Sequence, residues 1–398
     1  TDNRRQRQMC IRDSINTLRL RASIGETGSN SVGINAYQSL FGYGGSYNDN
    51  GAVSPSSYGN GILTWEKQSQ MDVGLEYSIL GDRVSGTIGY FNRKTSDLLQ
   101  SVPLSRTTGH SSQTKNVGEV ENKGIELELS ADVISTDNLT WTIYSNYATL
   151  DNEVTKLAKD ASGNDINLDG SWNRIRVGEE LNGWYMRMWA GVNSQTGVPL
   201  YNLGEKADGT IDMATTENYN SAIKSPVGNR MPTYSGGLGT RVNWKGLFID
   251  ANLYFSGGNK IFERWNWYSQ QTGLFSTYYY QGAQVLMNRW QKPGDVTNVP
   301  KMQYSTSTSS TGSGSSTRFL YDGDYVRLRD LVIGYNLPRT AAEKIGFEDV
   351  QLNVRGLNLF TWVKDDDLQT DPEVRFGGQW EIYTPIIKSV SVGLNLKF

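Results

Sequence analysis

Long runs in which apolar and polar residues alternate one by one constrain this chain more than any other feature. In Leu18-Arg19-Leu20-Arg21-Ala22-Ser23-Ile24 the apolar side chains fall on one face and the polar ones on the other, the period of two expected of a strand. Val73, Leu75, Tyr77 and Ile79 alternate with Gly74, Glu76 and Ser78, and Ile125, Leu127, Leu129, Ala131 and Val133 with Glu126, Glu128, Ser130 and Asp132. Leu247, Ile249, Ala251, Leu253 and Phe255 form another row, and the chain closes on Val390, Val392, Leu394, Leu396 and Phe398. Each segment therefore presents one greasy and one wet face.

Alternation alone fits either a soluble sheet with one solvated side or a barrel wall facing lipid. Three features favour the wall. Several runs reach about ten residues, the ~9–11 that cross a bilayer at a tilt, whereas soluble strands average about five or six. Connections alternate between short turns, such as Leu80-Gly81-Asp82 and Asn243-Trp244-Lys245-Gly246, and long stretches near 27–63, 96–119, 151–183, 258–323 and 362–385. Short turns on one side and long loops on the other are the rule for outer-membrane barrels. Finally, the last strand alternates without a break to Phe398, where a soluble chain would more often fray.

About twelve strands are expected, near 15–26, 64–79, 83–95, 120–133, 139–150, 184–193, 198–204, 233–243, 247–257, 324–336, 349–361 and 386–398. Phase slips at Arg329-Asp330-Leu331 and Arg355-Gly356-Leu357 point to bulges or shifted boundaries.

Composition agrees with an all-β reading: Gly 43, Tyr 22 and Trp 11 stand against Pro 10. No window holds the ~18 apolar residues of a membrane helix. A formal charge of -3 with scattered Lys and Arg lacks the basic stripe of a nucleic-acid binder. Cys10 is the single cysteine, so neither a disulfide framework nor a thiolate metal site can form within the chain. Residues 1–14 begin without an initiator or apolar signal segment and carry the aperiodic run Arg4-Arg5-Gln6-Arg7-Gln8-Met9-Cys10, which reads as a non-native or disordered leader on a chain truncated upstream. Residues 15–398 read as one barrel domain.

Specific words in the sequence carry a family resemblance. Thr64-Trp65-Glu66-Lys67 and Asn116-Val117-Gly118-Glu119-Val120-Glu121-Asn122-Lys123-Gly124-Ile125-Glu126-Leu127-Glu128-Leu129 resemble segments of SusC/RagA TonB-linked outer-membrane proteins. So do Asp322-Gly323-Asp324-Tyr325-Val326-Arg327-Leu328-Arg329-Asp330-Leu331, Asn358-Leu359-Phe360-Thr361-Trp362 with Asp371-Pro372-Glu373, and the closing Val392-Gly393-Leu394-Asn395-Leu396-Lys397-Phe398. The resemblance implies an antiparallel transmembrane β-barrel of about twenty-two strands around an N-terminal plug, of which this chain holds the C-terminal part without the plug. It also implies an outer-membrane location in Bacteroidota-like bacteria and energised uptake of oligosaccharides or peptides through TonB, with a SusD-like lipoprotein as partner. The last strand, Val390 to Phe398, resembles the insertion signal read by the barrel-assembly machinery. No cofactor is implied. A surface β-sheet adhesin or ligand-binding protein without an import role is the alternative.

The chain does not read as an enzyme. His110 is its one histidine and lies in Arg106-Thr107-Thr108-Gly109-His110-Ser111-Ser112 without a nucleophile elbow, as an ordinary loop residue would. Asp160, Asp165 and Asp169 offer oxygen ligands at close spacing and are the calcium candidates, but the loop lacks the spacing and terminal Glu of an EF-hand and reads more simply as solvated turns, as does Asp365-Asp366-Asp367. The richest functional stretch holds Phe262, Trp265, Trp267, Tyr268, Phe275, Tyr278, Tyr279, Tyr280 and Trp290. Such rings stack on sugars, anchor a partner protein, or pack loops and girdle. Trp65, Trp141, Trp244 and Trp362 fall near strand ends, where interfacial belts place them.

Overall fold

The computed structural model describes residues 14–30, 33–160, 162–270, 272–273, 284–303, 312, 314–373 and 384–398. The leader 1–13 thus lies outside the described residues. Ten long strands follow one another: β1 (Ile15–Ser29), β2 (Glu66–Ile79), β3 (Val84–Pro103), β4 (Ser112–Ser135), β5 (Leu139–Thr149), β6 (Tyr234–Trp244), β7 (Leu247–Gly257), β8 (Tyr325–Asn336), β9 (Asp349–Val363) and β10 (Ser389–Lys397). Among the described residues two short α-helices, α1 (Arg264–Ser269) and α2 (Arg339–Lys344), accompany them, with shorter strands in the connections. No helix among the described residues is long and apolar enough to cross a membrane.

The chain divides into two compact units. The first holds residues up to Leu127 with Ala148–Leu168 and Ile175–Leu181. Here β1 to β4 pair in sequence order, and Asp151–Lys156 returns onto β4. Leu20 faces Leu75, and Leu75 faces Ile88, so one face of this sheet carries an apolar row. The other face carries Arg19 and Arg21, both paired with Glu76. A small core of Val120, Val154 and Leu157, packed against Leu98, Ile175 and Leu181, covers the face of β4 that bears Gly124.

The second unit holds Glu128–Tyr147, Asp169–Arg174 and Asn182–Phe398. Within it β5 to β10 are again ordered as in the sequence. Val242, Ile249, Ile333, Val354 and Val392 stand directly opposite one another from strand to strand, an apolar row five strands wide. Ile333, Val354 and Val392 are all exposed to the surroundings, and a continuous apolar surface of this extent is a liability in water but a requirement in hydrocarbon. One residue along, the opposite face holds Arg241, Asp250 and Arg355. Asp250 accepts 2.8 and 2.7 Å bonds from Arg241 and one of 2.7 Å from the Tyr144 hydroxyl, while Arg355 pairs with Asp330. These are lumen-type polar networks, and the architecture is that of a partial antiparallel transmembrane barrel wall.

Turn chemistry fits the alternation of connections. Leu80, Gly81 and Asp82 all take positive φ between β2 and β3, as do Lys245 and Gly246 between β6 and β7. Bulges explain the phase slips: the registers of β8 with β7 and with β9 both skip Arg329, and Asn358 opposite it has φ 53.

Three expectations need correction. Segments 184–193 and 198–204 form strands, but not in the wall. Trp184–Met186 pairs with Ser225–Gly228, and Trp189–Val192 joins Pro199–Glu205 and Ile211–Thr216 in a separate three-stranded sheet. The first of these, Trp184-Tyr185-Met186, is buried on both faces, so it cannot serve a wall with one lipid side. The expected loop 96–119 is mostly strand, since β3 runs to Pro103 and β4 starts at Ser112. There Lys94 pairs with Glu119 and Asn92 with Glu121, so the ladder continues past the apolar belt after the greasy half of the pattern has stopped. The third concerns the long connections, which are not structureless. Leu40–Tyr47 pairs with Asn50–Ser57, and Lys260–Phe262 with Leu320–Asp322.

Candidate functional site

The aromatic stretch expected to carry function belongs to the second unit, in the connection between β7 and β8. Phe262 packs with Trp184, Met186 and Phe319 into a buried cluster, joined by Trp172, Trp267, Leu320 and Tyr321. Rings meet at 4.6 Å for Trp172 and Phe262 and edge-on at 6.0 Å for Trp172 and Trp267. Segments distant in sequence are thereby joined through aromatic area, which is large for the few torsions it immobilises.

Arginines fix the rest. Arg174 is buried and pairs with Glu205 at 2.6 Å while lying over the Tyr185 ring. The Nε of Arg187 donates to the Tyr219 and Ala222 carbonyl oxygens, with the guanidinium 4.1 Å from the Tyr219 ring centre. Arg318 sits over Trp189 and Phe319 and donates to the carbonyls of Gly312 and Gln270. Burial pulls its pKa down to about 10, which leaves it charged at neutral pH and held by carbonyl dipoles and ring faces. Arg187 and Arg318 satisfy carbonyls that a loop would otherwise bury unpaired.

The expected contact residues divide by exposure. Trp265 on α1 is half exposed, whereas Trp267, two positions on, packs against the buried cluster. Tyr268 meets the Trp267 ring at 4.7 Å, and Arg264 lies over both. Trp290 donates from Nε1 to the Ser194 carbonyl at 2.8 Å and covers Gly197, whose φ of 70 excludes ordinary side chains. Phe275, Tyr278, Tyr279 and Tyr280 lie outside the described residues. In α1, then, Trp265 presents its ring outward and Trp267 and Tyr268 stiffen the scaffold beneath it.

Other candidates have local explanations. Asp160 accepts from the backbone N–H groups of Asn164 and Ser162, which hold its carboxyl below the usual range, and Asp165 pairs with Lys159 at 3.3 Å. Asp169 lies in a two-residue strand paired with Arg174–Ile175. Among the described residues no group of three or more His, Cys, Asp or Glu converges as metal ligands would. His110 packs its ring against Tyr58 at 4.9 Å. In β10, Val390, Val392 and Leu394 are exposed on one face, and the Phe398 ring lies 5.1 Å from Phe347. Trp65, Trp244 and Trp362 are exposed, and Trp141 donates to Thr240 Oγ1.

The architecture has close counterparts. A family model described as TonB dependent receptor-like, beta-barrel, matches residues 13–359. The chain belongs to this TonB-dependent receptor family. It is 28% identical to TonB-dependent receptor P3 of Formosa agariphila, over 97% of this chain and 40% of that protein. With TonB-dependent receptor SusC of Bacteroides thetaiotaomicron the identity is 26%, over 96% and 38%. The solved RagAB peptide transporter superposes with TM-score 0.77 at 27% identity, covering 97% of this chain and 41% of the other. The chain thus spans about two fifths of the length of the relatives it matches. This is a family of receptors and transporters, and the barrel words in this sequence, from the Thr64-Trp65-Glu66-Lys67 segment through the paired Arg327 and Arg329 of β8, belong to its β-barrel.

Proposed function

We propose that this chain is the C-terminal barrel part of an outer-membrane importer that takes up oligosaccharides or peptides together with a SusD-like lipoprotein. The observation that carries the reading is the apolar row from Val242 to Val392 set against the polar face of Arg241, Asp250 and Arg355, a wall with one side for lipid and one for water. On this reading the long connections are extracellular and the short turns periplasmic. TonB would act through an N-terminal part of a longer receptor, and residues 1–14 are not part of the barrel domain that starts at residue 15.

Trp265, with Tyr278, Tyr279 and Tyr280 of the same connection, is assigned to contact with cargo or with the lipoprotein. Trp267, Tyr268 and Trp290 support it. The strand from Val390 to Phe398 is assigned as the segment recognised during membrane insertion. The kinship with TonB-dependent receptor SusC supports the importer reading, and that with the RagAB peptide transporter supports peptides as one cargo class.

The test is expression of the longer receptor in a host whose own copy is deleted, followed by membrane fractionation and affinity purification. Recovery in the outer membrane, heat-modifiable migration and co-purification of a lipoprotein encoded beside it are expected. Recovery as a detergent-independent soluble or secreted protein would overturn the proposal and favour the adhesin.

A further inference from the structure

The segment between β9 and β10 is tied to two other parts of the second unit by carboxylates that the aromatic reading does not use. Arg327 and Arg329, two positions apart at the bulge of β8, reach the same partner, Glu373. Arg327 donates to Asp371 Oδ1 at 2.6 Å and to Thr361 Oγ1 at 3.0 Å, and lies 3.3 Å from Glu373 Oε2. Arg329 reaches Glu373 Oε1 at 2.7 Å, where the Tyr325 hydroxyl also donates. The second oxygen of Asp371 accepts from the backbone N–H of Ile386, so one carboxylate closes the base of the segment and fastens it to β8. Arg327 is buried and Asp371 largely covered, at 3% and 9% side-chain exposure.

A second tie comes from the opposite direction. Glu263 precedes α1 but does not cap it; its Oε1 accepts from the backbone N–H groups of Gln369 at 2.8 Å and Thr370 at 2.5 Å. Its other oxygen accepts from the Asn266 side chain, and its own N–H donates to the Phe319 carbonyl. One buried residue thus joins three parts: its carboxylate holds α1 and residues 369–370, and its backbone N–H holds the start of the strand at Leu320.

We propose that Arg327, Arg329 and Glu263 form a clasp that makes residues 365–373 and α1 one mechanical element, so that the connection from β7 to β8 and the base of the connection from β9 to β10 move or hold still together. Arg327 reaches α1 only through residues 369–373, which Glu263 bonds directly. A guanidinium suits the task because its planar fork spreads its donors over Asp371 and Thr361 and its charge toward Glu373, whereas an ammonium concentrates its donors on one atom. The clasp does not depend on which cargo is carried.

The experiment is hydrogen exchange of the receptor in detergent micelles, comparing the unmodified protein with Arg327→Gln and Glu263→Ala. Arg327→Gln should accelerate exchange about tenfold or more not only at 369–373 but also in Arg264–Ser269, with β7 and β10 unchanged. Glu263→Ala, which removes both carboxylate acceptors, should raise exchange in the same two stretches. Acceleration confined to 369–373, or no acceleration at all, would overturn the clasp while leaving the import reading standing. Should Arg327→Gln not fold, Tyr325→Phe removes only the hydroxyl bonded to Glu373 and should give a smaller rise in both stretches; no rise would count against the clasp.

Discussion

The ring of Phe91 on β3 lies so close over Gly124 on β4 that a Cβ at 124 would sit 2.8 Å from two ring carbons and closer still to the Thr149 carbonyl oxygen. The glycine of the Asn122-Lys123-Gly124 word is there to admit a neighbour's ring, an aromatic covering a backbone left bare in a sheet. Gly124→Val should therefore destabilise by roughly 1–3 kcal/mol or more through overpacking. Gly25→Ala in β1, where an added Cβ meets nothing, should be close to neutral. Urea unfolding in detergent, read by heat-modifiable migration, compares the two.

Charge placed on the apolar row should be costly in a way charge on the opposite face is not. Val354→Arg sits in the middle of the row and should cost about 2–4 kcal/mol of folding into lipid, whereas Ser391→Arg on the polar face should cost under about 1 kcal/mol. Equilibrium folding into vesicles at matched lipid ratios measures both.

The two tryptophans of α1 should separate binding from stability. Trp267→Ala opens the aromatic cluster and should cost about 3 kcal/mol in the connection it supports. Trp265→Ala removes a half-exposed ring and should leave stability within about 0.5 kcal/mol while weakening contact with the lipoprotein or cargo. Thermal unfolding together with lipoprotein co-purification distinguishes the outcomes.

Residues 369–373 should respond to pH with two limbs of opposite sign. Burial holds the Glu263 carboxyl above its ordinary 4.5, so its contribution is present below that value and is lost as pH rises through the folded pKa. Burial also pushes Asp371 upward, but the Glu373 N–H and the Arg327 guanidinium outweigh it and leave the carboxyl below its ordinary 3.8. Its contribution is present above 3.8 and is lost as pH falls further. Exchange protection at 369–373, corrected for intrinsic rates, should rise from neutral pH toward 4.5 and fall below 3.8. Glu263→Gln should flatten the first limb.

The wall was legible because a lipid boundary forces strict alternation, and the slip at Arg329 was legible because a bulge breaks that alternation visibly. Strand ends beyond the belt were not. Lys94 and Glu119 keep the ladder of β3 and β4 going through ion pairs that periodicity cannot register. Trp184-Tyr185-Met186 misled because it has strand composition without saying which sheet it joins. The arginine anchors at 174, 187, 318 and 327 escaped detection because each acquires its role from residues 31 or more positions away in at least one contact, and a lone Arg in a polar stretch gives no sign of that. The repeated Arg327-Leu328-Arg329 together with the acidic Asp371-Pro372-Glu373 was the one pairing a charge-pattern search could have raised.

The central claim, that one face of each strand touches hydrocarbon and the other water, is tested most directly by spin labels on single cysteines in a Cys10→Ser background. Labels at Ile333, Val354 and Val392 should be relaxed by oxygen dissolved in the bilayer, and labels at Val332, Arg355 and Ser391 by a water-soluble nickel chelate. The account predicts a reversal of relaxation at every step from one residue to the next. Equal relaxation by the chelate on both faces, or protection of the apolar row from both agents, would contradict it.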